Sequence, residues 1–266
     1  MAKIDQVFDT KNQQYITYNE LISNLIEDGI IVLGEFHNDA LIQQAQAQII
    51  QTKTQQSANE KNVTLFWEFL DLDDQAKINL NFTFFMNGEI TAEDFIKNTA
   101  GNTNLTYAPI FDSLKLVGGK IMGANLPRTI KQQVITSGIG SIDPKYVPYH
   151  HYNGDENYRE LFVQAMGGHV PASQLEAYFT AQCLTDSFMA DTITRNFTTR
   201  LNFLVAGSFH TDFYNGTVAR IRKLTNRDIQ TLKVVNLTQL NSQTIQEYKV
   251  GHQKYGPYAD YIIMVK

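Results

Sequence analysis

Two segments of this sequence share one spacing, Gly34-Glu35-Phe36-His37 and Gly207-Ser208-Phe209-His210. Each directly follows an apolar run. Glycine lets the chain turn sharply there, and the histidine three residues on can then point over the end of the run. Glu68 ends a third apolar run. Such residues suit a hydrolase in which Glu35 or Glu68 acts as general base on a bound water. They could also hold a divalent ion, since two histidines and a carboxylate ligate several catalytic zinc sites, although no His-Glu-x-x-His helix is present. A third possibility is a network in which Glu35, His37, Glu68 and His210 satisfy one another, because burying all four is costly unless they pair or bind something. One Gly-x-x-His is a weak signal, as glycine often ends strands. Two of them, with carboxylates at equivalent ends, are a stronger one.

Such a cluster needs elements that bring its members to one rim. Ile30-Ile31-Val32-Leu33, Val63 to Trp67, Lys120 to Ala124 and Leu201 to Val205 read as buried parallel strands, with further ones at Leu232 to Leu237 and Tyr261 to Val265. Helical patterns separate most of them: Asn38 to Gln51, Ala108 to Leu116, Arg128 to Ile135 and Pro171 to Asn196. In the last, Leu175, Phe179, Cys183, Phe188 and Ile193 fall roughly on one face. Val7 to Ile16 reads as a hairpin or edge strand and Asn19 to Ile26 as a helix. This alternation predicts an α/β fold, a mostly parallel central sheet with helices on both faces. In such sheets ligands bind beyond the carboxyl ends of the strands. Glu35, His37, Glu68, Asn125 to Arg128 and His210 would converge there. Gln182 and Asp186, one helical turn apart, could hydrogen-bond to His37 or His210, or face solvent.

The chain has 266 residues, enough for one large core, so a single domain over 1–266 is expected. Hydrophobic residues make up 43% and charged ones only 18%, with net charge −5 and pI near 5.7. An acidic chain without a basic run gains little from phosphate neutralisation, so nucleic acid is not an expected partner. The one cysteine, Cys183, excludes an intramolecular disulfide and reads as a buried thiol. No stretch approaches the roughly 20 apolar residues that span a bilayer, and no signal peptide opens the chain.

The stretch around residues 139–197 breaks the alternation and reads as a helical excursion. Its segment Lys145-Tyr146-Val147-Pro148-Tyr149-His150-His151-Tyr152 is rich in tyrosine and histidine. The Phe82 to Met86 run is a further apolar patch, either core or contact surface.

The chain resembles the ChaN-type haem-binding uptake family and, more distantly, Tiki, TraB and erythromycin-esterase proteins with paired Gly-x-x-His motifs. The resemblance is carried by Val32 to Asn38, Glu68, Tyr107-Ala108-Pro109-Ile110, Ala124 to Arg128, Ala181-Gln182 with Asp186 and Met189-Ala190, and Ala206 to His210. It implies a bacterial envelope protein, typically a lipid-anchored outer-membrane or periplasmic lipoprotein, that binds haem (haem b) during iron acquisition. A lipobox cysteine is expected upstream, and its absence here fits removal of the leader. The resemblance further implies iron ligation by a tyrosine, propionates held by histidine and lysine, pairing of two chains around stacked haems, and delivery to an outer-membrane or periplasmic haem transporter.

Tyrosinate is an accepted haem ligand, as is histidine. Candidates are Tyr146, Tyr149 and Tyr158 with His150 and Lys145. The helix from Arg128 runs away from the strand ends, which would start the Tyr146 region at the opposite rim. Tyr107 begins the helix that feeds the third strand, and a return of the helix near Tyr158 would bring His169 over the site. The alternative function is a metal-dependent hydrolase, with His37, His210 and a carboxylate on the metal and Glu35 or Glu68 as base.

Overall fold

The structure is a computed structural model that describes residues 4–56 and 63–266. The order of elements is β1 (Ile4–Asp9), β2 (Gln14–Ile16), α1 (Tyr18–Asn24), β3 (Gly29–Glu35), α2 (Ala40–Gln56), β4 (Val63–Asp71), α3 (Gln75–Asn87), α4 (Ala92–Ala100), α5 (Ala108–Leu116) and β5 (Lys120–Asn125). There follow α6 (Arg128–Ser137), α7 (Glu156–Met166), α8 (Leu175–Arg195), β6 (Leu201–Gly207), α9 (Ser208–Thr211), α10 (Gly216–Leu224), β7 (Asp228–Asn236), α11 (Ser242–Val250) and β8 (Tyr261–Val265). One sheet runs in the order β2-β1-β8-β7-β3-β6-β4-β5. The six strands from β8 to β5 are parallel, and the β1–β2 hairpin adds the antiparallel edge. The predicted α/β fold and its mostly parallel sheet are therefore present.

β3 lies at the centre because its sequence is apolar on both faces. Ile31 and Leu33 join Leu65, Trp67 and Phe203 under α2 and α5. Ile30 and Val32 join Phe66, Leu204, Met189 and Ile221 under α8 and α10. The period of two sends alternate residues to opposite helical layers. Gly29 has φ of +132°, and a Cβ there would meet the Asp228 carbonyl at 2.1 Å, so only glycine opens this strand.

α8 departs from the one-faced helix expected. Phe179, Ala181 and every residue from Cys183 to Ala190 are buried. The reason is position: α8 lies on the sheet between α6 and α10, with Leu126, Val134 and Tyr146 on one flank and Val218 and Ile221 on the other. It begins at Leu175 because a 3-10 turn occupies Ala172–Gln174. Cys183 is buried beneath α7, and burial raises its thiol pKa. Among the described residues, no helix is long and apolar enough to cross a membrane.

Candidate functional site: a chain of carboxylates and imidazoles at the sheet rim

β3, β4 and β6 are neighbours, and the register aligns Glu35 with Gly207 and Trp67 with Val205. Their carboxyl ends therefore bring Glu35, His37, Glu68 and His210 into one cleft of about 350 Å³. The turns are not made by the motif glycines. Gly207 has φ of −68°, and the left-handed residue after β3 is Asn38, at φ of 59°. The glycines serve close approach instead. A Cβ on Gly207 would stand 2.6 Å from the His37 ring, and one on Gly34 would stand 2.6 Å from Thr211 Oγ1. Gly207 makes room for the His37 ring, and Gly34 for Thr211, which follows the second motif.

Acids and imidazoles alternate across the cleft. The Tyr107 hydroxyl donates to Glu35 Oε1, which also faces His37 Nδ1 at 3.0 Å. Gln43 Nε2 donates to the other Glu35 oxygen at 3.1 Å. His37 Nε2 lies 3.7 Å from Glu68 Oε1, and the same oxygen is 3.2 Å from His210 Nε2. Glu68 Oε2 accepts the Gly207 N–H at 2.6 Å. His210 Nδ1 meets Asp186 Oδ1 at 2.6 Å, and Asp186 accepts from Thr217 Oγ1 at 2.8 Å and from Tyr158 at 2.6 Å. The expected reach of Gln182 and Asp186 to the site is present, on the His210 side.

The charges settle in a definite pattern. Burial works against a charged His210, but Glu68 and Asp186 outweigh it and raise its pKa to about 10. Burial would raise Glu68, yet the adjoining His210 and His37 and the Gly207 amide bring it down to about 2. His37 is also raised: desolvation opposes its charge, and the Glu35 hydrogen bond and the Glu68 and Glu35 charges prevail. Burial first, and then the Glu35 charge, keep Tyr107 protonated. His37 is the most open member, with 38% of its side chain exposed.

Both nitrogens of His210 face carboxylates, and coordination requires a neutral imidazole. Among the described residues, no three His, Cys, Asp or Glu side chains are disposed to hold a metal.

The candidate haem residues divide by exposure. Tyr107 is fully buried in the cleft wall against Trp67 and Phe69. Tyr158, on the inner face of α7, is buried, with its hydroxyl also 3.1 Å from the Phe209 carbonyl. Tyr146 is buried, and its hydroxyl donates to Asp73, two residues past β4, so the chain has returned to the carboxyl rim rather than starting from the opposite one. Tyr149 is 89% exposed, with the His150 ring edge-on at 4.8 Å. Lys145 is exposed, and His169 stands exposed beyond the end of α7. In the Phe82 to Met86 run, Phe85 is core and Phe84 is exposed.

Sequence reasoning missed Lys233, Asp212 and the use of Ser208. Lys233, on β7, is 1% exposed and donates to both Asp212 oxygens, at 2.8 and 2.9 Å, and to Ser208 Oγ. Its Nζ lies 4.5 Å from the Phe36 ring centre. The signal was available, because a lysine flanked by Leu232 and Val234 in an apolar run must find a buried partner. Beside this group, under α7, lies a second cavity of about 240 Å³ that shares Phe36, Ser208 and Phe209 with the cleft.

Fold and site together define a class: a parallel-sheet protein with paired Gly-x-x-His motifs closing an acid–imidazole cleft. The family described as "Haem-binding uptake, Tiki superfamily, ChaN" matches residues 21–221, and the chain belongs to it. The fold is similar to that of ChaN of Campylobacter jejuni, a structure titled for cofacial haem binding, with TM-score 0.76 and 20% identity over 98% of this chain and 96% of that one. An erythromycin esterase mutant in its open conformation is more remote, at TM-score 0.48 and 14% identity over 87% and 76% of the two chains. A type III effector matches at TM-score 0.46 and 10% identity over 92% and 90%. No curated protein matches the sequence significantly.

Proposed function

We propose that this chain binds haem, as its family description and the cofacial haem of the Campylobacter jejuni relative suggest, with Tyr149 as the iron ligand. The carrying observation is exposure. Tyr107, Tyr146 and Tyr158 are buried with their hydroxyls donated to carboxylates, whereas Tyr149 is open to a macrocycle. A tyrosinate on ferric iron suits cargo that is captured and released. His150 and Lys145, both exposed near Tyr149 in sequence, supply the propionate contacts. Because one exposed tyrosine leaves the far face of the haem open, two chains pair around two haems. The place of action is the bacterial envelope, and an outer-membrane or periplasmic haem transporter receives the cargo.

The test is a haemin titration followed by visible absorption. The wild type is expected to give saturable binding with high-spin, tyrosinate-type charge-transfer bands. Tyr149→Phe is expected to lose those bands, while Tyr107→Phe and His169→Ala keep them. Retention of those bands in Tyr149→Phe would refute Tyr149 as the ligand, and their loss in Tyr107→Phe would move it to Tyr107.

A second reading, hydrolysis, is favoured by His37. Its Nδ1 is held by Glu35 and its Nε2 opens on the cleft, the arrangement of an oriented base. Activity on an ester probe that survives His37→Asn would remove it.

A further inference from the structure

The two adjoining rim cavities are unlike the exposed Tyr149 surface in both shape and charge. The smaller, about 240 Å³, is walled by Phe36, Phe209, Phe213 and Leu161 and roofed by α7. Its one carboxylate, Asp212, is already paired with Lys233. The larger, about 350 Å³, presents His37 and Glu68, with Gln182 at its side. Together they lie within the size range of small-molecule sites, roughly 300–1,000 Å³, and both are mainly apolar with a few converging polar groups.

Charge decides what can enter. No lysine or arginine lines either cavity. Three carboxylates, Glu35, Glu68 and Asp186, alternate with only two imidazoles, so carboxylates outnumber the rings. An anionic group such as a propionate or a phosphate would meet the carboxylates, and the cations beside it, His37, His210 and Lys233, are already paired with them. One polar position is open. His37 Nε2 and Glu68 Oε1 stand 3.7 Å apart, too far for a hydrogen bond, at the most exposed point of the cluster. An ammonium group placed there can donate to Glu68, and to His37 when the ring is neutral. From that point Phe36 and Phe209, which are 44% and 37% exposed, lead into the apolar cavity.

We propose that the rim is a second ligand site, separate from the haem surface, for a small amphiphilic amine: a cationic nitrogen at Glu68 and His37, and a compact apolar limb under α7. The limb fills the space between Phe36, Phe213 and Leu161, and the nitrogen replaces hydration of Glu68. The sites are independent, so the haem reading can fail without this one.

Three probes share one limb and differ only in head: 4-phenylbutylamine, 4-phenylbutanol and 4-phenylbutyrate. Titration calorimetry on the full chain is expected to rank them amine, alcohol, acid, with the amine at least about tenfold tighter than the acid. Ala165→Trp, on α7 at the cavity mouth, is expected to weaken the amine about tenfold or more while leaving haemin absorption unchanged. Glu68→Gln is expected to abolish the preference of amine over alcohol, with folding checked by circular dichroism. Were that variant not to fold, Ala165→Trp and the head-group ranking would carry the test. Equal binding of amine and acid, an unaltered amine affinity in Ala165→Trp, or no binding of any probe up to about 10 mM would overturn the proposal.

Discussion

At the scale of single residues, the site is held by reciprocal crowding and reciprocal charge. Gly207→Ala puts a methyl group 2.6 Å from the His37 ring, and that ring, half-open to the cleft, must swing away from Glu35. The expected cost is about 1–3 kcal/mol in urea unfolding, with displaced His37 resonances in the NMR spectrum. The Glu68–His210 pair makes stability depend on pH from both sides. Glu68 falls from 4.5 to about 2 on folding, so its contribution is complete above 4.5 and is lost as pH drops towards 2. His210 rises from 6.5 to about 10, so its contribution is complete below 6.5 and fades as pH climbs towards 10. Tm is thus expected to be highest between about 4.5 and 6.5, and His210→Gln is expected to flatten the alkaline side. Glu68→Ala, which leaves the His210 charge buried beside Asp186 alone, is expected to cost about 3 kcal/mol or more.

At the scale of elements, β5 shows how a side chain finishes a sheet. β5 pairs only with β4. On its free edge Gln75 accepts the Gly123 N–H at 2.8 Å and donates to the Ile121 carbonyl at 3.5 Å, taking the place of a ninth strand. Gln75→Ala is expected to lower stability by only about 1 kcal/mol but to promote association with concentration, read by light scattering. None of this was legible in the sequence, where Gln75 is one of many amides. The strands themselves were legible, because Ile30 to Leu33 and Leu201 to Val205 are apolar on both faces and leave little choice of place. His37 and His210 were legible as rim residues for the same reason. The purpose of Gly34 and Gly207 was not, since a close approach between segments far apart in sequence leaves no local trace. Lys233 left a trace, but its partners Asp212 and Ser208 are fixed only by the pairing of β7 with β3.

At the scale of the whole molecule, the proposed pairing of chains around haem predicts a change of mass. Sedimentation velocity is expected to show haemin raising the wild type from one chain to two, while Tyr149→Phe stays at one; a wild type that keeps its mass with haemin bound would refute the pairing. The order of strands carries a further consequence. β3, made early, is flanked by β6 and β7, and neither exists until the chain has grown past residue 200. On a ribosome, this fully buried strand therefore emerges long before either neighbour does. Until then its backbone edges and both its faces need other company, and a nascent chain in that condition is a natural client for a chaperone. The cleft is likewise among the last features to form, so a chain cut short before His210 has no site at all.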